Sequence, residues 1–366
     1  MAVEKSQISI SDYLSLEKIE EKGRGFAASE PLKGGQIILQ ESPILVFSAF
    51  PLRCQKLQEV ASSNTTAYCS HCYRCMVSEG LTCPTCCDST PNDIIFCNSK
   101  CQSLALTTTH TPWVCDALGR LRHCSLLLEH QPEERQVQAR YLVAAYNLAM
   151  ISPRAFESLL SLHGDGKKID IEIATFLHSI ITTLSFPEGF APLTIEMTAS
   201  LLDKESCNSF SLMEPYSQGG GRSTRAYGLY KNASFFNHDC LPNACRFDYL
   251  DSSPNNDKNT DIIIRLIHDV PQGKEICLSY FRVGLSYGER KKRLIDYFGF
   301  ECFCDRCKVE SSRQDEGDDS RCAYFFAKFV CERKDCGGTL APLLPSNGNQ
   351  FNVMECNFCG MSKNNI

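Results

Sequence analysis

A chain of 366 residues, 43% hydrophobic and 22% charged, can bury a substantial core in two or three units, which argues against wholesale disorder. The net charge of −6 argues against direct duplex DNA binding, which needs a dominant basic surface, and suits a basic partner such as a lysine-rich peptide. Glu4, Lys5 and Gln7 interrupt any signal-like apolar start, and no apolar run approaches the roughly 20 residues that span a bilayer. Cytosolic thiols stay reduced, so 23 cysteines, an odd number, read as metal ligands rather than disulfides. The expected location is nucleus and/or cytoplasm, with no membrane partner.

Residues 1–50 read as short strands and turns, with Gly23-Arg24-Gly25 and Gly34-Gly35 as turn signals and Pro43 interrupting the apolar stretch Gln36 to Phe47. Residues 66–116 form a cysteine-rich module. Pro132 to Ile151 reads as a helix: Glu133 and Glu134 lie in its first turn, and Val137, Tyr141, Ala144, Ala145 and Leu148 recur at helical spacing. Further helices are expected over Asp170 to Leu184 and Thr194 to Asp203. After the loop Gly219-Gly220-Gly221, strands are expected at Ala226–Tyr230, Ala244–Leu250, Asp261–Ile267 and Glu275–Tyr280. A charged helix covers 286–297, with Lys291-Lys292-Arg293 as its solvated face. An acidic linker covers 311–320, and a last cysteine-bearing unit fills 322–360.

The cysteines group at zinc-ligand spacings. Cys69-x2-Cys72, Cys83-x2-Cys86, Cys97-x3-Cys101 and His110-x4-Cys115 supply eight ligands, enough for two tetrahedral zinc ions. Interleaved binding, first pair with third and second with fourth, would brace a module too small for its own core. Cys75 has the same spacing from Cys72 and could displace a partner. Cys302, Cys304 and Cys307 lie so close together that a fourth ligand must come from elsewhere. Cys331-x4-Cys336 with Cys356-x2-Cys359 resembles a zinc ribbon holding one ion. The lone Trp113 reads as a packing anchor for the first module.

The segment Asn237-His238-x-Cys240-x-Pro242-Asn243 resembles the SET domain of protein lysine methyltransferases. Further matches follow in the family's order: Lys22-Gly23-Arg24-Gly25 for the N-terminal cofactor loop, Cys207-Asn208-Ser209-Phe210, Gly228-Leu229-Tyr230, and Gly273-Lys274-Glu275-Ile276 leading to Ser279-Tyr280. The Cys-x-Cys-x2-Cys run after Gly299-Phe300 is similar to the post-SET metal loop, and the first cysteine module resembles an inserted MYND finger. This combination resembles the SET and MYND domain (SMYD) family, in a short plant-type form.

The resemblance implies an α+β fold in which the parts divide as follows: 1–65 and 221–300 the split SET domain, 66–118 the finger, 119–220 a helical insert, 301–310 the post-SET loop and 321–366 a ribbon-like tail. It implies S-adenosylmethionine as cofactor and a protein lysine, histones among the candidates, as substrate. Lys22, Gly23, Arg24, Gly25, Asn208, Asn237, His238, Tyr280 and Phe300 would contact the cofactor, Arg24 near its carboxylate, with His163 a further candidate. Tyr280 would be catalytic, and Tyr230 and Phe298 would line the lysine channel beside Phe300. Cys240 would complete the metal site of Cys302, Cys304 and Cys307 and pin that loop over the cofactor. Methyl transfer is mostly a positioning task, so aromatics and backbone carbonyls suit it better than charges.

Phe298 stands where the family usually has a tyrosine, with Tyr297 one residue away. A phenyl ring there leaves room for bulkier methylated amines. The alternative reading is a catalytically idle SET–MYND scaffold whose finger binds proline-containing peptides of partner proteins. A zinc hydrolase fits poorly, because it needs an open metal position and these clusters read as closed.

Overall fold

In a computed structural model of the protein, residues 12–52, 67–76, 79–85, 94–190, 193–216, 222–252, 258–311, 320–334, 336–343 and 353–364 are described. Strands β1 (Leu14–Ile19) and β2 (Gly23–Ala28) form an antiparallel hairpin. Its turn puts Gly23 at φ +82°, a conformation glycine adopts without strain. Next come β3 (Ile37–Glu41) and β4 (Leu45–Ser48), then the finger's β5 (Leu81–Thr82) and β6 (Ile95–Phe96). The second half of the domain supplies β7 (Ser209–Met213), β8 (Thr224–Leu229), β9 (Asn237–His238), β10 (Ala244–Phe247), β11 (Ile262–Leu266) and β12 (Cys277–Leu278).

The two halves interleave. β3 joins a sheet of order β10-β11-β3, and β4 joins one of order β4-β8-β7. The N-terminal hairpin is stitched to the chain before β12: Ile276 N–H donates to Phe26 O at 2.8 Å and Ala28 N–H to Lys274 O at 3.0 Å. Between the layers Phe26, Leu32, Ile38, Phe236, Ile264 and Ile276 are fully buried. β9 and β12 pair in parallel, Asn237 opposite Cys277 and His238 opposite Leu278. A parallel pair needs a crossover, here the whole β10–β11 hairpin.

The helical insert is built on Glu133–Ile151. The expected apolar face is present, and the helix is buried beyond it: Leu142, Val143, Tyr146 and Asn147 are also enclosed by Pro112–Leu121, Ile171–Thr182 and Ile195–Asn208. Asn147 is the tie to the finger, accepting from Thr111 Oγ1 at 2.7 Å and donating to Thr108 O at 2.6 Å. Trp113 stacks on Phe186 of the insert and donates to Ser185 O, so it anchors the insert rather than the finger's own core. Arg225, fully buried, donates to Tyr73 O and pairs with Asp251, fastening the finger to the domain. The charged helix runs Tyr287–Arg293, opened by a Ser286–Glu289 capping box, and continues as a π-helical turn over Leu294–Phe298. It ends at Gly299, φ +70°.

The tail packs on the domain. Its helix Ser320–Phe329 and strands β13 (Leu340–Pro342) and β14 (Val353–Cys356) share a core with Phe247, Ile267 and Val283, and β15 (Ser362–Asn364) pairs with β14 at the outer edge. Glu355 accepts from Arg265 Nη1 and Tyr249 Oη, both at 2.8 Å, and the Arg265 side chain is 5% exposed. The acidic run 312–319 lies outside the described residues. Glu355→Ala leaves Arg265 buried without that partner and is expected to lower unfolding free energy by about 3 kcal/mol in a urea titration. A loss below about 1 kcal/mol, the range of an exposed pair, would mean that the tail is not part of the cooperative unit.

Candidate active site and metal centre

The loop into β9 is held from below by Glu41, whose carboxylate accepts from the N–H groups of Asn232 and Ala233 and from Asn232 Nδ2 at 2.9–3.1 Å. Burial pushes that carboxyl's pKa up, and those three donors oppose the shift. Asn243, immediately before β10, donates to Glu275 O and accepts from Cys277 N–H, both at 2.8 Å, locking β12 alongside. Neither residue was assigned a role from sequence. An isolated Glu in a strand and a second Asn in a motif carry no signal of the pairing they serve.

At one end of this pair lies a polar cluster. Asn237 Nδ2 donates to Glu275 Oε1 at 2.9 Å, and Lys22 Nζ pairs with Glu275 Oε2 at 2.7 Å. Gly25 packs so closely here that a Cβ would lie 2.5 Å from Asn237 Nδ2. Any larger residue here would have to displace the Asn237 amide and the Ile19 side chain. Arg24, expected to face a carboxylate, instead lays its guanidinium over Phe235 at 4.6 Å and donates to Ser161 O at 2.7 Å. Asn208 donates its amide to His163 O and Lys204 O, while His163 itself is exposed. The amide and the guanidinium both brace the 161–168 loop.

His238 is buried, and both ring nitrogens are committed. Tyr280 N–H donates to Nδ1 at 3.1 Å, so Nε2 carries the proton and faces Cys240 Sγ at 3.3 Å. Burial holds its pKa down near about 3, so the ring is neutral. The side chain therefore links the Tyr280 backbone to the Cys240 thiol.

Tyr280 leaves β12 into an aromatic enclosure. Its ring lies 4.8 Å from Phe298, 5.2 Å from His238 and 6.4 Å from Phe300, and its hydroxyl donates to Phe236 O at 3.1 Å. Burial raises the phenol's pKa well above its ordinary value, keeping it a donor. Tyr297 is 61% exposed, so Phe298 and not Tyr297 faces Tyr280. Tyr230 is no channel wall. It is fully buried in the central core, edge-on to Phe210, and its hydroxyl donates to Thr260 O at 2.6 Å.

Two thiolates on one zinc at about 2.3 Å each lie about 3.8 Å apart, far beyond a disulfide's ~2.05 Å. Sulfur pairs here fall in that range: Cys240–Cys307 at 3.5 Å, Cys72–Cys97 at 3.7 Å, Cys331–Cys359 at 3.7 Å and Cys336–Cys356 at 3.5 Å. Among the described residues four groups converge: Cys69, Cys72, Cys97 and Cys101; Cys83, His110 and Cys115; Cys240, Cys302, Cys304 and Cys307; and Cys331, Cys336, Cys356 and Cys359. Cys86 lies outside the described residues, and Cys75 is absent from these groups. Three of these sets offer the four thiols of a closed zinc site, and the set of Cys83, His110 and Cys115 offers three donors of the right kind among the described residues.

A SET-domain family model matches residues 23–281, and the chain belongs to the SET-domain family. It is 43% identical to the histone-lysine N-methyltransferase ASHR2 of Arabidopsis thaliana, over 96% of this chain and 95% of that one. It is 24% identical to the human histone-lysine N-methyltransferase SMYD3, covering 80% of this chain and 61% of that protein. Among solved structures, the SET domain of LSMT bound to lysine and AdoHcy is similar at TM-score 0.35 and 12% identity, over 79% of this chain and 53% of that chain.

Cys240→Ser is expected to lose one equivalent of zinc by elemental analysis while the finger keeps its own. An unchanged zinc content would show that Cys240 shares no ion with Cys302, Cys304 and Cys307.

Proposed function

We propose that the chain is an S-adenosylmethionine-dependent protein-lysine N-methyltransferase, with histones as the first substrates to test. The observation that carries this is the parallel β9–β12 pair, which sets Asn237 and Glu275 at one end and Tyr280 in an aromatic enclosure at the other. The domain layout expected from the sequence goes with it: a MYND-type finger with two zincs, a post-SET loop with one and a ribbon-like tail with one.

S-adenosylmethionine, when bound, supplies an electrophilic methyl group on a sulfonium. Asn237, Gly23, Gly25 and Lys22 form the edge on which its amino-acid part would rest. The rings of Tyr280, Phe298 and Phe300 exclude water from the approaching lysine. That desolvation lowers the amine's pKa and frees the nitrogen lone pair for in-line attack. The Phe236 carbonyl and Tyr280 hydroxyl are acceptors positioned to orient the amine's N–H bonds. The aromatic faces then favour the cationic product.

No described helix is long and apolar enough to cross a membrane. Nucleus and cytoplasm are the compartments in which a histone or other lysine-bearing protein and reduced thiols coincide. The finger is the place to look for a second partner, a proline-containing peptide.

Tyr280→Phe is expected to cut radiolabelled methyl transfer to histones at least about 100-fold, the scale of one lost transition-state contact, with S-adenosylmethionine binding retained in calorimetry. Labelling that survives the change would move the reaction elsewhere. A second outcome concerns product state. With Phe298 beside Tyr280, dimethyl or trimethyl lysine is expected, and Phe298→Tyr is expected to shift product toward monomethyl. Mass spectrometry showing monomethyl lysine from both proteins would contradict this.

A further inference from the structure

We propose that Arg290 is a positioning residue for the metal of Cys240, Cys302, Cys304 and Cys307, its guanidinium offsetting thiolate charge and slowing the metal's departure. The proposal rests on reading those four cysteines as a zinc site.

Arg290 lies on the helix Tyr287–Arg293 and is fully buried, a costly place for a cation without anionic partners. Its partners point in three directions. Nε donates to Cys240 Sγ at 3.3 Å, Nη1 to Leu285 O at 2.7 Å, and Nη2 to Glu310 Oε2 at 2.6 Å with Cys307 Sγ at 3.9 Å. Two of the four candidate ligands thus face one guanidinium.

A second arginine completes the frame. Arg306, also buried, pairs with Glu310 Oε1 at 2.8 Å and donates to Val283 O at 2.6 Å and Leu285 O at 3.2 Å. Glu310 therefore bridges two guanidiniums, and both guanidiniums hold the 283–285 turn that follows Tyr280. Zinc with four thiolates carries a formal charge of −2, which a buried site pays for unless cations stand nearby. Arg290 and Arg306, less Glu310, bring the buried ensemble to −1.

Cys240 is the sulfur most affected. It accepts from Arg290 on one side and from His238 Nε2 on the other. Donors to a metal-bound thiolate drain its charge, lower its nucleophilicity and fix its direction. A lysine in this position would carry the charge but could not reach sulfur, carbonyl and carboxylate from one planar fork. The metal's hold on Cys240 is thereby joined to the catalytic strand through His238 and to the helix behind it through Arg290.

The test follows zinc rather than methylation. The zinc-loaded full chain is mixed with excess chromogenic chelator, and thiols exposed over time are alkylated and located by mass spectrometry. In Arg290→Met one zinc is expected to leave at least tenfold faster than in the unaltered chain, with Cys240, Cys302, Cys304 and Cys307 labelled together and the finger cysteines still protected. Arg290→Lys is expected to fall between. Release at the unaltered rate, or parallel exposure of every cluster, would overturn the proposal, because a general loss of stability does not select one site. If Arg290→Met does not fold, Glu310→Gln, which loosens the fork without removing it, decides by the same selectivity. Cys240→Ser serves as the reference: equal zinc content in that variant would overturn both this proposal and the metal reading beneath it, whereas a lost equivalent with an unmoved Arg290→Met rate would overturn this proposal alone.

Discussion

Two residues of parallel pairing carry the rest of this structure. Asn237 opposite Cys277 and His238 opposite Leu278 make a ladder too short to hold itself, and parallel strands offer no tight turn to help. What fixes it is side-chain chemistry on both flanks. Asn243 bonds to the backbone on each side of Ile276, His238 takes the N–H of Tyr280, and Phe26 O takes the N–H of Ile276. Each of these polar groups is enclosed, where an unmet partner would cost more than the bond contributes. The pairing is thus specified by a set of mutually satisfied groups, and the polar and aromatic ends of the site follow from it.

The candidate metal at Cys240 belongs to the same set rather than standing beside it. His238 touches the sulfur with one nitrogen and the Tyr280 backbone with the other. Phe298 and Phe300, the outer walls of the enclosure, lie four and two residues before Cys302. The tail adds a separate brace: Arg282, two residues past Tyr280, lies 4.1 Å from the Phe358 ring. The site is enclosed by loops, and loops without regular hydrogen bonding gain their order from such cross-links.

What was legible in the sequence shares one property: it is written locally. Cysteine spacings, the Gly23-Arg24-Gly25 turn, the Asn-His motif and the period of the 133–151 helix can each be read within a few residues. What was not legible depends on what the chain meets after folding. Tyr230 reads as a channel aromatic from its neighbours, yet just past the end of β8 it is enclosed in the central core. Arg24 reads as an anion binder, yet a carbonyl from the helical insert reaches it first. Trp113 lies beside the finger's ligands in sequence but packs across the boundary. Arg290 sits next to three exposed cations, and no local pattern marks it as the one turned inward. Glu41 and Glu275 look like ordinary strand carboxylates until the partner segment, some 190 or 250 residues distant, is in place.

The interleaving of the two halves also bears on how the protein is made. Strand β3 finds its partner only in Ile262–Leu266, and the β1–β2 hairpin is stitched to the domain only by residues 274–276. A ribosome must therefore deliver most of the chain before the central core can close, and the early strands wait with apolar faces open. The finger differs, since its candidate metal ligands all lie between residues 69 and 115 and are synthesised long before residue 260. How long the early strands stay open to aggregation is then set by the time taken to make and dock the segment beyond residue 260.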